Sequence, residues 1–156
     1  MNTVDLDDLD PQSNPMNSDS VADALDAAEF AMNYYVLEPG EEFTGGLHAH
    51  LDQEEAFVVL EGEATFEVQE SPTADSETVT VGEEEMIRFP AGEYQQGRNE
   101  SDDVVRALAL GAPQESSDIR VAAPCQACGD SDYLEFVATE AGAMVECPEC
   151  GESFEA

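Results

Sequence analysis

The stretch Leu47-His48-Ala49-His50-Leu51-Asp52-Gln53-Glu54-Glu55-Ala56-Phe57-Val58-Val59-Leu60-Glu61-Gly62 decides the fold, and it holds both histidines of the 156-residue chain. Residues two apart on a strand point to one face, about 6.7 Å from each other. His48 and His50 therefore converge while Leu47, Ala49 and Leu51 face the other way. Asp52, Gln53 and Glu54 read as a short polar connection. Glu55, Phe57 and Val59 then share one face of the next run, which brings the Glu55 carboxylate into the interior that receives the imidazoles. Glu61-Gly62 supplies a turn with a residue free to take positive φ. Two imidazoles and one carboxylate on one concave face are a ligand set suited to a divalent metal, Mn, Fe, Zn or Ni.

Outward from this stretch the same alternation recurs. Strands are predicted at Tyr34 to Leu37, Phe57 to Leu60, Ala64 to Gln69, Thr78 to Val81, Met86 to Phe89, Tyr94 to Arg98 and Val104 to Leu110, separated by turns rich in Gly, Pro, Ser and Asp. Many short strands without intervening helices predict an all-β closed barrel or jelly roll.

The spacing His48-x-His50-x4-Glu55-x6-Gly62 resembles the first motif of the cupin family, G-x5-H-x-H-x3,4-E-x6-G. The second motif, G-x5-P-x-G-x2-H-x3-N, is met by Pro90-Ala91-Gly92, Glu93, Tyr94, then Gln95 where histidine is usual, and Asn99. The first motif's opening glycine is replaced by Glu42, with Gly40 two residues earlier, and Gly82 is separated from Pro90 by seven residues rather than five. The resemblance covers Asn33 to Ala112 and implies a cupin jelly-roll barrel. It also implies a barrel metal on His48, His50 and Glu55 with Gln95 as a weaker fourth ligand, a small-molecule ligand and a homodimer. An amide oxygen is a poorer donor than imidazole, so Gln95 is the position at which the motif departs in its chemistry.

The four cysteines fall in two pairs, Cys125-x2-Cys128 and Cys147-x2-Cys150, with eighteen residues between them. Each pair is followed by glycine, Gly129 or Gly151. Tyr133 to Val137 and Ala143 to Val145 read as a hairpin turning near Ala141-Gly142. The unit resembles a zinc ribbon, in which four thiolates close a tetrahedral, structural zinc site. Two disulfides are the competing reading. The N-terminus lacks the basic and apolar regions of a signal peptide and no span-length apolar run occurs, so a cytoplasmic location, reduced thiols and no membrane are expected.

Charge bounds the function further. Four Arg, no Lys and 37 acids leave a formal charge of −33, while 42% of residues are hydrophobic. The hydrophobic content argues for a folded core rather than a disordered chain. The acidity resembles that of proteins from salt-in halophilic archaea, and it argues against nucleic acid, which needs a basic footprint. The predicted organisation is an acidic, mostly disordered tail over 1–29 with a short helix near Ser20 to Phe30, the barrel over 30–112, a linker over 113–122 and the ribbon over 123–156.

Among other polar residues, Arg88 is a choice between an anion clamp inside the cup and a surface partner for acids. Tyr94 is a candidate pocket wall, Met86 a packing residue and Asn99 a structural one. No general acid or base stands out, because no third histidine exists and the glutamates cannot be ranked. Three function classes follow. The first is a metal-dependent oxygenase or isomerase acting on an oxygen-rich small molecule such as an oxo acid, enediol or sugar. The second is a ligand or metal sensor whose ribbon docks a partner protein. The third is an apo structural cupin.

Overall fold

The computed structural model describes residues 1–139 and 142–155. In chain order its strands are β1 (Ser18–Ser20), β2 (Ala31–Leu37), β3 (His48–His50), β4 (Glu54–Glu61), β5 (Glu63–Gln69), β6 (Glu77–Gly82), β7 (Met86–Phe89), β8 (Tyr94–Arg98), β9 (Val105–Ala112), β10 (Ile119–Val121), β11 (Leu134–Thr139), β12 (Gly142–Glu146) and β13 (Ser153–Glu155), with a short α-helix, α1 (Val21–Leu25), and 3-10 turns at Leu6–Asp8 and Pro11–Ser13. They form a five-stranded sheet, β1-β2-β9-β4-β7, and an eight-stranded sheet, β13-β12-β11-β10-β3-β8-β5-β6. Faces of the two sheets enclose one apolar core, the jelly-roll architecture that the alternation predicts.

Period-two burial shows why these runs are strands. Along β9, Val105, Ala107 and Ala109 are buried and the intervening residues are not. Phe57 and Val59 of β4, Phe66 of β5, Phe89 of β7 and Tyr35 and Leu37 of β2 meet those residues in the core. Phe43 lies at its centre, 5.0 Å from the rings of Tyr35 and Phe57 and stacked on Phe66 at 5.7 Å. Two glycines make this closure possible. A Cβ on Gly97 would lie 2.5 Å from the Phe66 ring and 2.7 Å from that of Phe43, and Gly62, at φ +81°, turns β4 into β5 against the Val104 carbonyl. Asn99, fully buried, donates to the carbonyls of Leu37 and Asp103 at 3.0 and 2.8 Å and so closes a loop, in the structural role expected of it.

The structure differs from the sequence reading at two segments. Residues 1–29 do not form a free tail: β1 pairs with β2, and Val4, Leu6, Leu9 and Leu25 pack against Val21, Tyr34 and Val36. The outer face of β2 is itself apolar, and widely spaced apolar residues within an acidic segment suffice to cover it. The helix starts where expected, with the Ser20 side chain accepting from the Asp23 amide, but it ends at Leu25 because Asp26 adopts a left-handed conformation. The segment 113–122 is not merely a linker, since it contains β10, which joins β3 to β11. The hairpin turn read at Ala141-Gly142 falls on Ala141, outside the described residues, and β12 begins at Gly142.

All four arginines are already ion-paired: Arg88 with Glu54, Arg98 with Glu67 and Glu100, Arg106 with Glu61, and Arg120 with Asp118. Most of the 37 acids therefore have no basic neighbour among the described residues. Screening relieves their mutual repulsion, since the Debye length falls from about 30 Å at 0.01 M salt to about 3 Å at 1 M. Thermal unfolding should shift upward by about 10 °C or more between 10 mM and 2 M KCl. A melting temperature indifferent to KCl would contradict this reading of the charge.

Candidate metal centre

Strand β3 carries both imidazoles, and register decides what they face. His48 is the direct neighbour of Gln95 on β8, so their side chains share the inner face of the sheet. His48 and Gln95 are 7% and 2% exposed. The two imidazole rings lie 5.1 Å apart, edge to face. Glu55, at the start of β4 on the facing sheet, places a carboxylate oxygen 3.9 Å from Nε2 of His50. One ligand atom from each of His48, His50 and Glu55 falls within a single 4.8 Å cluster. The Gln95 amide nitrogen donates to Glu55 Oε2 at 2.8 Å and lies 3.4 Å from His48 Nε2.

The surroundings orient this set. Nδ1 of His48 lies 2.9 Å from the Gly46 carbonyl and 3.4 Å from Thr44 Oγ1. Donation from Nδ1 to that carbonyl leaves the Nε2 lone pair aimed into the cup, a second partner of the kind that metal-binding histidines use. Burial lowers the His48 pKa against the opposing Gly46 bond. It lowers that of His50 to about 4, together with His48 and against Asp52. Burial also raises Glu55 to about 7, opposed by the Gln95 bond. At neutral pH the cup thus holds two unprotonated imidazoles, the form that ligates, and a carboxyl that burial keeps about half protonated.

Two buried atoms here have no hydrogen-bond partner, Nδ1 of His50 and Oε1 of Gln95. Buried polar atoms are rarely left so. A terminal amide can be turned over without changing its shape. Turned, Gln95 would direct Oε1 at the His48 lone pair and the Glu55 carboxylate, a set of three acceptors that a cation would satisfy. The residues present therefore fit a divalent metal.

A narrow cleft of about 10 Å³ opens beside the cluster, lined by His50, Gln53, Glu55, Phe89, Pro90, Glu93 and Gln95. That is space for about one water. Glu93 is the residue that sequence reasoning left unranked. The Glu93 amide bonds the Pro90 carbonyl at 3.2 Å, Gly92 at φ +91° completes the turn, and the Gly92 amide ties it to the His50 carbonyl at 2.9 Å. The Pro-x-Gly turn was the available signal: whatever follows it stands at the mouth of the cup.

Other candidates lie elsewhere. Arg88 is on the outer face, 2.8 Å from Glu54 and 56% exposed, so it is the surface partner and not an anion clamp. Tyr94 is not a wall of the cup; it has the opposite parity to Gln95, on the side of Arg120 and Tyr133. Met86 is 66% exposed and packs into nothing inside the barrel.

The cysteines form a second cluster. Cys125 and Cys150 sulfurs are 3.7 Å apart, and those of Cys128 and Cys147 3.8 Å. Thiolates about 2.3 Å from a tetrahedral zinc stand about 3.8 Å from one another, whereas a disulfide needs about 2.05 Å. All four are free thiols in this structure. The two knuckles match, with Gly129 and Gly151 both at φ +72° and their amides bonded to the Cys125 and Cys147 carbonyls at 3.0 and 2.9 Å. The Cys128 amide, followed by that of Ala127, pulls the Cys125 thiol down to about 6. This second group also fits a metal, one with all positions filled by sulfur.

The comparisons agree with the architecture. The family model of the cupin domain matches residues 33–111, just over half of the chain. A sugar phosphate isomerase of the cupin superfamily from Silicibacter pomeroyi superposes with a TM-score of 0.63 at 20% identity, over 86% of this chain and 77% of that one. A protein from Thermus thermophilus gives 0.58 at 25% identity, over 74% and 100%. An oxalate oxidase in complex with glycolate gives 0.55 at 18% identity, over 69% and 56%. No curated protein matches the sequence. No helix among the described residues is long and apolar enough to cross a membrane.

Proposed function

The chain belongs to the cupin domain family, and from that premise we propose that its barrel holds one divalent metal on His48, His50, Glu55 and Gln95 and presents it to a small oxygen-rich ligand. The observation that carries this reading is the convergence of the first three within 4.8 Å, with the Gln95 side-chain amide directly against His48 and Glu55. When bound, the metal supplies Lewis-acid polarisation of ligand oxygens. His48 and His50 hold it as neutral donors, Glu55 offsets part of its charge, and Phe89 and Pro90 keep bulk water away. Glu93, a carboxylate lining the cleft without joining the ligand cluster, is placed to accept a proton from a molecule bound there.

Charge narrows the ligand. A divalent ion beside Glu55 leaves a single positive charge at the ligand set, and the Glu93 carboxylate in the cleft offsets it, which disfavours a ligand with several negative charges. No arginine lines the cleft to receive a phosphate group as well. Oxo acids and enediols with adjacent oxygens therefore fit better than a phosphorylated sugar. Two structural neighbours, a sugar phosphate isomerase and an oxalate oxidase holding glycolate, are themselves named for oxygen-rich molecules, which supports the general class. The small cleft requires either a compact ligand or movement of the Pro90–Glu93 turn.

The test is spectroscopic. Mn(II)-loaded protein should show an altered EPR spectrum with oxalate, glycolate or a small enediol. Glu93→Gln should keep the metal while abolishing turnover of any molecule found to react. A spectrum unmoved by every two-oxygen chelator would contradict the ligand class. Metal affinity should also follow Glu55, which must lose its proton to ligate. Its pKa of about 7 in the metal-free cup implies binding about ten-fold weaker at pH 6 than at pH 8. Isothermal titration at the two pH values, with proton release measured in two buffers, checks it.

The cysteine cluster supports a structural zinc, with thiols kept reduced in a cytoplasmic setting. The charge accords with a salt-rich one. Leu60 and Met86, 38% and 66% exposed on the outer face of β4 and β7, support association with a second copy.

A further inference from the structure

We propose that the C-terminal cysteine unit positions the histidine strand of the barrel, so that metal at the thiolates strengthens metal binding in the cup. This rests on the barrel-metal reading above and adds a coupling between its site and the distant one.

The observation is how little else holds β3. The strand is three residues long and pairs with β8 at one position only, His48 with Gln95. With β10 it pairs along its whole length, His50 with Ile119, Ala49 with Arg120 and His48 with Val121. Both flanks continue the ladder: the Leu51 amide donates to the Asp118 carbonyl and the Ala122 amide to the Leu47 carbonyl, each at 2.8 Å. The strand bearing both imidazoles therefore hangs chiefly on β10.

In turn β10 is held by the cysteine unit. It pairs with β11 through Arg120 with Glu135 and Val121 with Leu134. Val121 packs into the cluster formed by Cys125, Leu134, Val145 and Cys147. On the outer face the Arg120 guanidinium lies 4.7 Å from the Tyr133 ring centre, just before β11. A cluster this small owes its order to the metal rather than to apolar burial. Without that metal β10 loses its outer partner, and β3 is left with its one register pair on β8 and the Gly92 amide on the His50 carbonyl. The imidazoles then lose their fixed separation, and the cup pays for ordering them each time it binds an ion. By linkage the influence runs both ways.

The experiment uses the full chain in 2 M KCl. Mn(II), which favours oxygen and nitrogen over sulfur ligands, is titrated by EPR into wild type with zinc at the thiolates and into Cys128→Ser/Cys150→Ser. Affinity should fall about ten-fold in the variant. In parallel, hydrogen exchange is followed in wild type with and without zinc, no metal being added to the cup. Amides of residues 47–51 should exchange at least about ten-fold faster without zinc, while β7 stays protected. Equal Mn(II) affinity in the two proteins overturns the coupling. So does unchanged exchange over 47–51 while residues 123–155 open, or a loss of protection that includes β7. If exchange over 47–51 responds but Mn(II) binds neither protein, the positioning role stands and the barrel-metal reading fails.

Discussion

Cys147→Ser is expected to dissolve the C-terminal ribbon. Cys147 is fully buried, its amide donates to the Glu152 carbonyl, and its own carbonyl accepts from Gly151, so it anchors both the knuckle and the sulfur cluster. The apolar support around it is slight: among the described residues Cys125, Leu134 and Val145 are buried with it, and Val121, Ala123, Phe136 and Phe154 are partly buried against them. Structural zinc in units of this kind contributes about 10–16 kcal/mol at neutral pH, far more than such a cluster supplies by itself. Losing one of four thiolates should remove most amide protection over residues 123–155 and halve the metal content. The barrel core of Phe43, Phe57, Phe66 and Phe89 has no share in those contacts and should still melt cooperatively. Hydrogen exchange in molar KCl, repeated on wild type with a zinc chelator, checks both parts. A ribbon that keeps its protection after zinc removal would show that its fold does not depend on metal.

The second large effect is at the cup. His48→Ala removes the imidazole whose Nδ1 is fixed by Gly46 and whose Nε2 faces Gln95. His50→Ala removes the one that lines the cleft. Altering a residue that merely orients a ligand costs about 10–100-fold in affinity, so loss of a ligand should cost at least about 100-fold. Either variant should carry the ribbon metal and no other, measured as metal per chain by mass spectrometry after reconstitution with Mn, Fe, Ni and Zn in turn. Undiminished binding in both variants would place the ion elsewhere.

Much of this was legible in the residues because the barrel strands obey one rule. Where apolar residues alternate, as in β5 and β9, period two located the strand to within a residue or two. The segment that carries His48, His50 and Glu55 was legible for the same reason, since face and spacing together define a cup, although β3 and β4 lie in facing sheets and do not pair. The strand β10 was not, because Ile119 and Val121 flanking Arg120 are too few to signal a strand without their two neighbours. The N-terminal segment misled because it carries eight acids and no base, and its apolar residues, which touch β2, are spaced too widely to signal a packed element. Arg88 and Tyr94 were decided by which sheet face they occupy and what stands opposite. Glu93 emerged only once the Pro90–Gly92 turn had been placed against the His50 carbonyl.

The most direct measurement is anomalous diffraction at the Mn edge from crystals grown in high KCl with Mn(II) and zinc. The account predicts an Mn peak inside the barrel, within bonding distance of His48, His50, Glu55 and the Gln95 amide oxygen, with zinc at the four sulfurs. Anomalous density confined to the sulfurs, or a Gln95 side chain turned away from a barrel ion, would contradict it.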